Sequence, residues 1–133
     1  MAIQLSVAAR NARLDAIETA IGTSAVLKIR TGAQPATCAT ADAGTVLATL
    51  TLPSDWMAAA SAGAKALAGT WTDASADAAG TAAHFRLYAS DGTTCHMQGS
   101  VAASAADLNV DNVVFAAGQS FTITSFTLTD GNA

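Results

Sequence analysis

Residues 84 to 101, HFRLYASDGTTCHMQGSV, decide the reading of this chain. Phe85 and Leu87 alternate with His84, Arg86 and Tyr88, the period of two that sends successive side chains to opposite faces of a strand. Ser90-Asp91-Gly92-Thr93 interrupts the pattern, and Asp-Gly readily takes the positive φ angles of a tight turn. A second extended run follows, so the segment predicts a β-hairpin with one apolar face.

Outward from the hairpin the same period recurs, as in Val46, Ala48, Leu50 and Leu52 with Thr49 and Thr51 opposed. Strands are expected over residues 25 to 31, 45 to 52, 66 to 72, 82 to 89, 94 to 101, 107 to 115 (with a break allowed) and 119 to 129. In the last of these Phe121 and Ile123 share one face, while Phe126 and Leu128 fall on the other. A β-bulge near Ser125, or a strand passing between two sheets, returns both pairs to the core. Residues 53 to 65 do not alternate and read as a short helix or a loop anchored by Trp56. Residues 73 to 83 read as an Ala/Asp/Gly loop.

The first segment has a different period. Ile3, Val7, Leu14, Ile17 and Ile21 recur at helical spacing, Gly22 supplies a stop, and Ser6 or Asn11 is available as a cap. An amphipathic α-helix is expected at about residues 6 to 21. The fold expected is therefore mainly β: a two-sheet antiparallel sandwich or jelly roll of about seven or eight short strands with one N-terminal helix. The 133 residues make one domain, with a helical arm over 1 to 23 and a sandwich over 24 to 133.

Charged residues are 12% of the chain, about half the usual share, and Ala, Thr, Ser and Gly take their place. Such a surface suits a protein packed into an assembly. The net charge of −4 argues against nucleic-acid binding, which needs a basic face. Residues 1 to 30 nevertheless hold four cations against two anions, so this end can meet an acidic partner. No stretch is apolar enough to span a membrane, and Arg10, Arg13, Asp15 and Glu18 break any signal-like run, so synthesis in the cytoplasm is expected. Cys38 and Cys95 give no disulfide framework there.

Raw material for chemistry is sparse. His84 and His96 flank the hairpin turn, but no G-x-S-x-G elbow accompanies them. A zinc site from Cys38, Cys95, His84 and His96 has suitable ligand types, yet adjacent Cys95 and His96 point to opposite faces of a strand. Both cysteines are expected as core residues and both histidines at the surface. Asp73, Asp77, Asp107 and Asp111 are expected as ordinary loop carboxylates, since no EF-hand pattern is present. Trp56, Trp71 and Tyr88 are expected as anchors; a sugar-binding platform is the weaker alternative. No catalytic residue, metal or cofactor is expected.

Four segments carry a resemblance: MAIQLSVAARNARLDAIETAIGTSAVLKIRTG, TLPSDWMAAASAGAKALAGTW, HFRLYASDGTTCHMQGSV and AAGQSFTITSFTLTDGNA. Together they resemble short proteins encoded among the structural genes of tailed bacteriophages and prophages. The resemblance implies a virion component, with head decoration or cement proteins the nearest type and tail, baseplate or fibre subunits the alternative. It implies the major capsid protein or other virion proteins as partners, and homo-oligomers. The expected partner surface comprises Ile3, Val7, Arg10, Arg13, Leu14, Ile17, Trp56 and Met57. A carbohydrate-binding attachment module is a third expectation.

Overall fold

The computed structural model describes residues 3 to 131. Helix α1 spans Val7–Ile21 and is followed by β1 (Val26–Arg30), β2 (Val46–Thr51), β3 (Ala64–Ala66), β4 (Thr72–Asp73) and β5 (Gly80–Thr81). The chain continues through β6 (His84–Tyr88), β7 (Cys95–Ala102), β8 (Leu108–Val110), β9 (Val114–Phe115) and β10 (Phe121–Thr129). The fold is mainly β, as its alternating pattern requires, and is consistent with a sandwich.

Eight strands form one mixed sheet in the order β2-β1-β6-β7-β8-β10-β3, with β4 also on β10, and β5 pairs with β9 in a second, two-stranded sheet. The sheet curls: Asp77 N donates to Leu47 O at 2.7 Å, tying the segment after β4 to the far edge strand β2. The ladder is antiparallel except at β7 and β8, where Val101 lies opposite Leu108 in parallel. That departure from the expected all-antiparallel sheet is held locally by Asp107, which accepts from Ser100 N and Oγ at 2.8 and 2.9 Å and folds the connection back.

The hairpin forms where Asp-Gly predicts it. Gly92 has φ +70°, and Asp91 Oδ1 accepts from the backbone N–H groups of Thr93 and Thr94, both at 2.9 Å. Phase is restored along β10 by a register shift between Ile123 and Ser125, so Phe121, Ile123 and Phe126 are all buried. The run expected over 66 to 72 is divided. Leu67 N donates to Phe126 O and Ile123 N to Trp71 O, so this segment follows β10, but it breaks around Gly69, at φ +69°. The expected 107 to 115 strand likewise breaks into β8 and β9, and β5 lies within the stretch expected as loop.

A core built from small aliphatics needs large anchors. Trp56, Trp71, Phe126 and Phe85 supply them as a contiguous aromatic chain, with successive ring centroids 6.0, 5.5 and 5.7 Å apart. Residues 53 to 65 contain no helix; Trp56 is fully buried there and donates from Nε1 to Gly22 O at 3.0 Å.

Candidate functional site

Two clusters, each built on buried cations, organise the molecule. The first grows from β6, whose five residues are all buried. Phe85 and Leu87 face the core, and the polar side chains of the opposite face are covered by the β1–β2 connection, residues 31 to 45. Arg86 causes that cover. Its Nη1 donates to Thr40 O and to the Asp42 carboxylate, and its Nη2 to Thr37 O and Cys38 O at 3.1 and 2.9 Å. A guanidinium presents donors in a rigid fork, so it can gather several carbonyls of one loop at once.

Asp42 is the counter-charge. Arg30 Nη2 donates to Asp42 Oδ2 at 2.8 Å, and Tyr88 Oη donates to Oδ1 at 2.8 Å. Burial opposes ionisation of Asp42, but the hydrogen bonds from Tyr88 and Arg86 and the charges of Arg30 and Arg86 outweigh it, so its pKa lies below the ordinary value. Tyr88 moves upward, through burial and through its bond to Asp42. With both oxygens engaged and its proton affinity reduced, Asp42 is built as a clamp; a general base needs a free lone pair near neutral pH.

The second cluster docks the helix. Ser6 Oγ accepts from Ala9 N at 3.1 Å and caps α1. On β3, Lys65 donates to Asp15 Oδ1, Glu18 Oε2 and Ala58 O at 2.7, 2.8 and 2.9 Å, which uses all three ammonium hydrogens. Burial opposes the charge on Lys65, the two carboxylates overcome it, and its pKa lies above the ordinary value. The bonds from Lys65 and from Ala60 N lower Asp15. A cleft of about 490 Å³ beside this cluster is bordered by Asp15, Glu18, Asp55 and Lys65.

The helix is therefore fastened in cis, chiefly by polar contacts, with Leu14 and Ile21 its buried residues. This changes the expected partner surface. Leu14, Trp56 and Met57 belong to the interior, at 3%, 0% and 1% exposure. Arg10 Nη1 donates to Asp130 O at 2.9 Å, and Arg13 Nε pairs with Asp130 Oδ2 at 3.3 Å. Ile17 is half-buried against the core, while Ile3 and Val7 are exposed. Ile3 lies ahead of the helix, so the stripe read from the sequence is not one continuous face.

The histidines separate. His84 is buried, not at the surface, with Nδ1 2.9 Å from Gly32 O. His96 is exposed in the register shift between Leu87 and Tyr88. Both cysteines are half-buried rather than core residues, and the Cys95 thiol donates to Met97 O at 3.4 Å. Burial and the nearby Cys38 thiol raise the Cys95 pKa, with Arg86 acting in the opposite sense. Sequence spacing carries no signal for this pair, because a fold-back of the 31 to 45 loop creates it.

Among the described residues no three His, Cys, Asp or Glu side chains converge as metal ligands would, and no helix is long and apolar enough to cross a membrane. The four aspartates expected in loops each accept a hydrogen bond within the chain: Asp73 from Ser75 N, Asp77 from Thr49 Oγ1, Asp107 from Ser100, and Asp111 from Thr122 N. Trp56, Trp71 and Tyr88 are all buried, so they present no platform for a sugar ring. The chain matches no protein-family model, curated protein or solved structure in the comparisons made.

Proposed function

We propose that the protein is a non-enzymatic structural subunit of a tailed-phage particle, and within that class a decoration or cement protein that stabilises contacts between shell subunits. The observation that carries the reading is the division of polar work. Arg30, Asp42, Arg86, Lys65, Asp15 and Glu18 hold the chain's own loop and helix, while much of the remaining sequence is Ala, Thr, Ser and Gly. A surface poor in charge can be covered by a neighbour without stripping water from many ions, which favours burial in a symmetric assembly. The resemblance of four segments to phage structural proteins supports the same reading. Exposed Ile3 and Val7, just ahead of and at the first turn of α1, offer apolar contacts to a neighbour.

Particles purified from the producing strain test the proposal by quantitative gel analysis and by imaging of the labelled chain. Copy numbers on the order of hundreds, distributed over the shell, are expected of a protein that repeats with capsid symmetry. A few copies at one vertex or along the tail would move it to a tail or baseplate role. Absence from particles would overturn the reading.

A further inference from the structure

The structure assigns Cys38 and Cys95 as a redox-closable pair: a disulfide between them would lock the 31 to 45 loop onto the β6–β7 hairpin. The placement rests on several independent contacts. Cys38 O accepts from Arg86 Nη2 at 2.9 Å, while Cys95 lies directly across the ladder from Tyr88. On the same face Gln98 Nε2 donates to Pro35 O at 2.7 Å, and Tyr88 Oη to Asp42 at 2.8 Å. The loop is thus held over β6 and β7 on both sides of Cys38, above the face that carries Cys95, and the Cys38 thiol is near enough to raise the Cys95 pKa. Both cysteines are free and partly exposed, so a small oxidant can reach them.

Chemistry at the pair requires a thiolate and an electron acceptor. In one order of attack Cys38, on the loop, is the first nucleophile. The acceptor is a low-molecular-weight disulfide such as oxidised glutathione. The Cys38 thiolate attacks one of its sulfurs, a new S–S bond forms, the old one breaks, and the first glutathione leaves as a thiolate. Cys95 then loses its proton to solvent or to that thiolate, a step the Arg86 charge favours, and attacks the Cys38 sulfur. The second glutathione leaves. Two protein thiols become one disulfide, and the acceptor becomes two glutathione thiols. The loop then keeps its place over Arg86 even when its hydrogen bonds are strained.

The test uses the full chain equilibrated with excess oxidised glutathione, then read by free-thiol titration, intact mass and non-reducing peptide mapping. The expected result is loss of both free thiols without retained glutathione, a Cys38–Cys95 cross-linked peptide, and no disulfide-linked dimer on a non-reducing gel. Closing so long a segment should raise Tm by roughly 10 °C, reversibly with dithiothreitol. Cys38→Ser and Cys95→Ser should each retain a single glutathione and show no such rise. Glutathione retained on both wild-type cysteines, cross-linked dimers, or two thiols still free would each overturn the assignment.

Discussion

The Lys65 ammonium lies 2.7 Å from Asp15 Oδ1, across the seam between β3 and α1, and its own side chain is 2% exposed. The helix is thereby joined to the sheet by an ion pair whose cation is interior and whose anion is half in water. Removing the cation leaves Asp15 and Glu18 close together with only the backbone donors Ala60 N and Met57 N. Lys65→Met should cost about 2 to 3 kcal/mol, below the ~3 to 5 kcal/mol of a fully buried pair because water reaches Asp15. Urea unfolding measures this. A loss under about 0.5 kcal/mol would mean that solvent supports the helix as well as Lys65 does.

Asp42 makes the fold acid-sensitive. Its folded-state pKa lies below the ordinary 3.8, so its contribution is present above that value. It is lost as pH falls from there through the depressed value, because the unfolded chain then binds more protons. Asp15 is lowered too and acts in the same direction. Melting temperature should therefore drop steeply below about pH 4. Asp42→Asn should be less stable near neutrality and show a shallower acid limb; an acid limb identical to wild type would remove Asp42 from the account.

Arg86 should not be replaceable by lysine. One ammonium cannot reproduce two guanidinium nitrogens donating to three carbonyls and a carboxylate. Arg86→Lys should cost on the order of 1 to 2 kcal/mol and Arg86→Ala about 3 kcal/mol or more. Hydrogen exchange should quicken first in residues 37 to 42. If both variants protect that loop as well as wild type, the loop is held by something other than Arg86.

The bulge on β10 makes a geometric prediction. Thr124 is the residue passed over between Ile123, opposite Val110, and Ser125, opposite Asn109. Deleting Thr124 removes the extra residue, so the strand becomes regular and Phe126 stays on the face of Ile123, opposite Leu108 and beside Trp71 and Phe85. The loss should therefore stay well below the ~3 to 5 kcal/mol of a Phe truncated in a core. Near-wild-type near-ultraviolet circular dichroism is expected, and its loss together with a collapse of Tm would show that the bulge itself is required.

Local periodicity made much of this fold legible. The alternation in residues 84 to 88, the Asp91-Gly92 turn, the phase slip in 121 to 128 and the Ser6-to-Gly22 helix are all dictated within a few residues, and each appears where the sequence puts it. What stayed hidden depends on distant segments. His84 and Arg86 read as a solvent-facing row because nothing nearby announces that residues 31 to 45 return to cover them. Leu14, Trp56 and Met57 were equally suited to a partner or to the chain's own interior, and tertiary packing decides for the interior. The Cys38 and Cys95 contact has no sequence signature, since it follows from where Arg86 holds the loop.

Strand β10 pairs with β4, β8 and β3 in turn, partners drawn from residues 72 to 73, 108 to 110 and 64 to 66. On a ribosome, none of those earlier strands can find this neighbour until residues 121 to 129 have left the exit tunnel. Until then Trp71 and Phe85 lack the Phe126 ring that packs against both. Such late, long-range closure is slow relative to helix or hairpin formation. Stopped-flow refolding should accordingly show burial of Trp56 and Trp71 as a late event, on a timescale of milliseconds to seconds.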